Sequence, residues 1–144
     1  MSATQSAASH AKIVPMYHYV GFGFVAIPTF YSLYLTVTQF SLGAMMMSLF
    51  AIGVIVSMLF ARLFPLGVQD RVIRLEERMR MERLLPAEMH ARIGDVATEH
   101  LIALRFASDD ELADLTKRIL DGEFPGRKGV KEAIKNWRAD DQRI

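Results

Sequence analysis

The chain has 144 residues, of which 51% are hydrophobic and 23% charged, with a formal net charge of +1 and no cysteine. That length suits about one domain, and the missing cysteine excludes disulfides, thiolate catalysis and cysteine-ligated metal or iron–sulfur centres. The near-neutral total conceals a division: residues 13–61 contain no Asp, Glu, Lys or Arg, Lys12 alone precedes them, and the other 32 charged residues follow.

In chain order, a polar tail over 1–12 leads into the charge-free run. A secretory signal has an apolar core of roughly 7–15 residues, and this run is several times longer, so an uncleaved membrane anchor is expected. One helix through all 49 residues would be about 73 Å long, against roughly 30 Å of hydrocarbon. The run must fold back, and the polar stretch 36–43 is where it can. This predicts a transmembrane helical hairpin over 13–64, with spans near 14–37 and 42–64. Lys12 precedes the first span, Arg62 and a series of arginines follow the second, and the turn carries no basic residue. The positive-inside rule then places both ends in the cytoplasm. Tyr17, Tyr19 and Tyr34 suit the two membrane interfaces, and Pro28 is expected to kink the first span. Gly53, Ser57 and Ala61, four residues apart, form a small-residue face that permits close helix approach. Packing against the first span is the expected use of that face, with another protein as the alternative. His18 is the one titratable side chain of note within a span. As a haem ligand it would need a second histidine from another chain, so an interfacial histidine is the expected state. Met45, Met46 and Met47 point in three directions about 100° apart on a helix and form packing material rather than a copper site.

From 65 to 144 a small cytoplasmic multi-helix domain is expected, which makes the chain all-α. Pro65 and Gly67 should break or bend the chain. Residues 68–85 then form an amphipathic helix with Val68, Val72, Leu75 and Met79 on one face. Asp70 with Arg74, and Glu76 with Arg80, are acid-then-base pairs at i, i+4. Such pairs are individually weak, so the apolar stripe should be the part that packs, on later helices, a second copy or the bilayer surface. Arg71, Arg74, Arg78, Arg80 and Arg83 are the expected partner or headgroup contacts. Pro86 restarts the chain into short helices near 87–93 and 96–106. Ser108 and Glu111 form a capping box for the next helix, whose apolar face is Leu112, Leu115 and Ile119 and whose stop is Gly122. A last helix over 128–138 should carry Val130, Ile134 and Trp137 on one side.

Little here points to chemistry. His90 and His100 lie in no recognised metal spacing, and there is no nucleophile elbow or phosphate-binding loop. No enzyme and no cofactor are expected. Residues 109–123 are net −4 and residues 127–138 net +4, so these helices should dock on each other. Lys131, Lys135 and Trp137 are the alternative anionic contact, and nucleic acid is not expected as a partner.

The segments FARLFPLGVQDRVIRLEERMRMERLLP (60–86), LIALRFASDDEL (101–112) and AIKNWR (133–138) resemble a family of small uncharacterised bacterial membrane proteins with two apolar spans and an arginine-rich juxtamembrane segment. The resemblance implies the same fold and a bacterial inner membrane, and it brings no activity. The expected role is a non-catalytic accessory or scaffold subunit, or a homo-oligomer. The alternative is a membrane-tethered module that recognises an anionic partner. The bilayer and a protein partner or second copy are the expected contacts.

Overall fold

The structure, a computed structural model, describes residues 14–140; Lys12 and the tail 1–12 lie outside them. The described residues are helical apart from short connections and one isolated bridge between Ala107 and Trp137. They divide into two compact units, the first ending at Leu66 and the second beginning at Gly67.

In the first unit a π-helical turn, Met16–Gly21, runs into α1 (Phe22–Thr38), and after a short turn α2 (Leu42–Leu84) begins. Met16–Thr38 and Leu42–Leu84 are both long and apolar enough to cross a membrane. Two contacts fix the antiparallel hairpin. Near its open end the Tyr17 hydroxyl donates to Met58 O at 2.6 Å, and near its turn Thr36 Oγ1 and Ser48 Oγ lie 2.9 Å apart. Between them the buried residues are Thr29, Ser32, Ser48 and Ala51. Large side chains such as Phe24, Ile27, Phe30 and Phe50 point outward. Small, polar contacts inside and bulky apolar groups outside are what helices packing in hydrocarbon select, because burying Leu or Phe against another helix gains nothing over lipid.

The expectation that Gly53, Ser57 and Ala61 face the first span is corrected. All three are exposed, and a Cβ at Gly53 would meet nothing within 4 Å. Successive helix positions turn by about 100°, so Ser48, Ala51 and Met58 share one side of α2 while the Gly53–Ser57–Ala61 row lies on another. The two helices meet through hydroxyls instead. Thr36 also reaches Ser32 O at 2.8 Å and Ser48 reaches Ala44 O at 3.0 Å, so two hydroxyl protons serve three acceptors. Thr36→Val removes the interhelical bond yet leaves Ser48 free to donate within its own helix. The expected cost is only about 0.6 kcal/mol, the average for such bonds in membrane bundles, measurable by denaturing-detergent titration of the hairpin.

Pro28 and Pro65 both sit inside helices. Pro65 and Gly67 therefore do not end α2, contrary to the break expected there.

The second unit holds the end of α2, a 3-10 helix (Ala87–Asp95), α3 (Thr98–Leu104), α4 (Asp109–Leu120) and α5 (Arg127–Ala133). Its core gathers Met81 and Leu85 from α2 and the residue after it, Ile93 and Val96, Leu101 and Leu104 from α3, Leu112, Leu115 and Ile119 from α4, then Phe124 and Val130. Ser108 is the N-cap of α4, as expected, but its hydroxyl makes no capping bond. Glu111 is used elsewhere: its carboxylate accepts the backbone N–H groups of Lys135 at 3.2 Å and Asn136 at 3.1 Å. With those donors taken, and with Arg138 N donating to Phe106 O at 2.7 Å, the chain leaves the helix at Ala133. Helix α5 is therefore shorter than the 128–138 expected.

Candidate functional site

The second unit uses α2 in two ways. The side facing its core carries Ile73, Glu77, Arg80 and Met81, all buried. The stripe singled out from the sequence is on the other side: Val68, Val72, Leu75 and Met79 are 61%, 48%, 61% and 62% exposed. Of the three places where the stripe could pack, the later helices of the same chain are therefore not the one it uses. Rotation by 100° per residue puts the stripe about half a turn of the helix from the packed side. The packed side was hard to recognise because it mixes apolar residues with a charged pair.

That pair is the most organised polar feature of the unit. Arg80 is 6% exposed and Glu77 4%. The guanidinium donates from Nη1 to Glu77 Oε2 at 3.0 Å, from Nε to Asp109 Oδ1 at 2.8 Å and from Nη2 to Ala107 O at 2.8 Å. Nη1 also lies 3.4 Å from Leu104 O. The two carbonyls belong to the end of α3 and the turn after it: Leu104 O also accepts from Ala107 N at 2.9 Å, whereas Ala107 O takes its donor from Arg80. One side chain from α2 thereby closes the C-terminus of α3 and the N-terminus of α4. Arg80 is an internal clamp, which corrects its expected place at a partner or headgroup contact and its expected pairing with Glu76. Arg71, Arg74 and Arg83 are exposed, and Arg78 Nη2 lies 3.4 Å from Gly94 O.

Burial pushes the Glu77 carboxyl above its ordinary value, with Arg80 opposing the shift. The hydrogen bond from Arg80 holds Asp109 below its ordinary value. The two have opposite consequences for stability. Asp109 contributes stability above its unfolded pKa that is lost as pH falls through its depressed folded value. Glu77 contributes stability below its unfolded pKa that is lost as pH rises through its raised folded value. Asp109→Asn is therefore expected to flatten the acid side of the stability profile and leave the Glu77 decline intact. Unfolding midpoints of the full chain in detergent from acid to neutral pH check this.

The basic C-terminal segment is folded onto the same unit. Trp137 stacks on Phe106 with ring centroids 4.6 Å apart, and Lys131 Nζ lies 5.1 Å from the Phe106 centroid. Lys131 and Trp137, two of the expected anionic contacts, thus pack on an internal ring, while Lys135 is exposed. An open cleft of about 1400 Å³ lies between this segment and α2, lined by Arg83, Lys135 and Arg138 together with Glu76 and Asp140. Its charges are mixed, and Arg105 pairs with Asp140 at 3.4 Å. In the first unit His18 Nδ1 is turned onto its own helix, 3.1 Å from Val14 N and 3.0 Å from Val14 O. His90 Nε2 lies 2.9 Å from Leu85 O. Among the described residues no three His, Asp or Glu side chains converge as a metal site.

What this arrangement can do is hold and present. A long helix is clamped on one side to a small domain and leaves an apolar stripe on the other. No curated protein and no solved structure matches the chain. A family of unknown function matches it along residues 1–144.

Proposed function

The chain belongs to that family, DUF6526, and we propose that it is a non-catalytic accessory or scaffold subunit assembled laterally in the bacterial inner membrane. In this reading the hairpin spans the bilayer, the turn at Gln39 faces outward, and both ends of the chain are cytoplasmic. The arginines after the second span, against a turn without any basic residue, support that orientation.

The observation that carries the proposal is the unpartnered apolar stripe of α2 in the second unit. A soluble surface scatters its apolar residues singly, whereas here four lie in one row. Contiguous apolar surface of this kind marks an interaction site. The test is extraction of the tagged protein from its native membrane in mild detergent, followed by native sizing and mass spectrometry. A stoichiometric assembly larger than one chain supports the proposal. A lone monomer under conditions that preserve other membrane complexes contradicts it.

A second reading, a membrane-tethered module for an anionic partner, is favoured by the cleft beside Lys135 and Arg138. It predicts salt-sensitive binding to anionic vesicles that Lys135→Glu abolishes.

A further inference from the structure

Resting on the scaffold reading, the geometry points to a second copy of this chain as the occupant of the α2 stripe, packed parallel to the first. Val68, Val72, Leu75 and Met79 follow one another at steps of four, three and four. That is the spacing of the core positions of a two-stranded coiled coil. A β-branched residue at Val72 followed by Leu75 is the order that favours two parallel strands.

The flanking charges choose the direction. Arg71 and Glu76 are both exposed and occupy the two positions that border such a seam, five residues apart. In a parallel, in-register pair Arg71 of each copy meets Glu76 of the other, giving two opposite-charge contacts. An antiparallel pair would instead bring Arg71 of one copy against Arg78 of the other. Two copies inserted in one membrane by the same signals also share one direction. The seam ends where it should: Glu82 takes the next core position, and Arg78 and Arg83 would repel across the pair beyond Met79. The interleaved acids Asp70, Glu76 and Glu82 argue against a headgroup-binding face, which needs a cluster of basic residues. The seam from Val68 to Met79 is shorter than two heptads and falls short of the three to four heptads of a free coiled coil. The pairing therefore depends on the membrane, which confines both copies and raises their effective concentration.

The natural absence of cysteine makes a direct test available. Leu75→Cys and, on the flank of α2 away from the seam, Arg74→Cys are each introduced into the full chain in its membrane and oxidised with copper-phenanthroline. Leu75→Cys is expected to yield a disulfide-linked dimer and Arg74→Cys little. Arg71→Glu should lower the Leu75→Cys yield, and the double variant R71E/E76R should restore it, as only the parallel arrangement allows. All these positions are exposed in one chain, so the fluorescence of Trp137, which reports the folded domain, should not change. Equal yields from the two cysteine variants, or no dimer from Leu75→Cys, overturn the proposal. If a different stoichiometric partner is retained on native sizing while the Leu75→Cys variant stays monomeric, the self-pairing falls and the scaffold reading stands. If a fluorophore attached to the Leu75→Cys thiol is quenched by quencher-labelled lipid without dimer formation, the stripe lies on the bilayer and the self-pairing falls too.

Discussion

Replacing Arg80 with alanine is expected to destabilise the second unit by roughly 3–5 kcal/mol, the usual cost of removing one partner from a buried ion pair. The reason lies in what the guanidinium leaves behind. Glu77 would stay buried without its bonded cation, and Ala107 O would lose this donor, while Leu104 O would keep the N–H of Ala107. An unsatisfied buried group costs more than a satisfied hydrogen bond contributes. The loss should depend on pH with a definite sign. Burial already raises the Glu77 pKa, and without Arg80 the main opposition to that rise is gone, leaving the weaker effect of Arg138. The folded variant must keep Glu77 protonated, so its stability should fall more steeply than wild type as pH rises above the ordinary carboxylate range. Glu77→Leu combined with Arg80→Met should recover much of the loss, because replacing both members of a buried pair by apolar groups is often near neutral. Denaturant unfolding in detergent, read by Trp137, the one tryptophan of the chain, measures both the loss and its recovery. A loss below about 1 kcal/mol for Arg80→Ala, typical of an exposed pair, would show that the clamp does not hold these elements together.

Phe106→Ala is expected to cost about 3–5 kcal/mol, as for other buried aromatic deletions. Phe106 is 1% exposed and lies just past the end of α3. Its ring is the platform for Trp137, and Arg105 Cζ lies 4.5 Å from its centroid. Deleting it opens a cavity and also removes a stacking contact worth about 0.5–1.5 kcal/mol beyond area alone. The C-terminal segment should loosen, though the bond from Arg138 N to Phe106 O, the Ala107–Trp137 bridge, the Glu111 contacts and the Arg105–Asp140 pair still tether it. A red shift of the native Trp137 emission should accompany the lost stability. Phe106→Leu, which keeps most of the volume, should recover the larger part of the stability but not the emission. Unchanged emission in Phe106→Ala would mean that the ring does not hold the tryptophan.

The elements themselves were legible because their signals are local. The charge-free run, its single polar interruption and the Ser108 cap mark where helices begin and turn. Which side of a helix packs was less legible. Val68, Val72, Leu75 and Met79 make the better apolar stripe, yet the side that packs contains Glu77 and Arg80. Periodicity of hydrophobicity cannot register a buried ion pair, nor that Arg80 finds a further partner in Asp109, 29 residues beyond it. The same limit applies to Gly53, Ser57 and Ala61. Small residues permit close approach, but which small face is used depends on the partner helix, here on Thr29, Ser32 and Thr36. The early end of α5 is also non-local, because Glu111 draws away the backbone donors of Lys135 and Asn136. Of the candidate site, the residues were visible in the sequence and the assignment of inside and outside was not.

In the proposed topology the chain crosses the membrane twice and leaves its helical domain on the cytoplasmic side. Single cysteines at Gln39 and at Arg138, in the otherwise cysteine-free chain, decide it when a membrane-impermeant maleimide is added to cells with a permeabilised outer membrane and an intact inner one. Labelling of Gln39→Cys in that state, with Arg138→Cys labelled only after the inner membrane is opened, is the predicted result. Labelling of both positions before opening, or of Arg138→Cys alone, would contradict it.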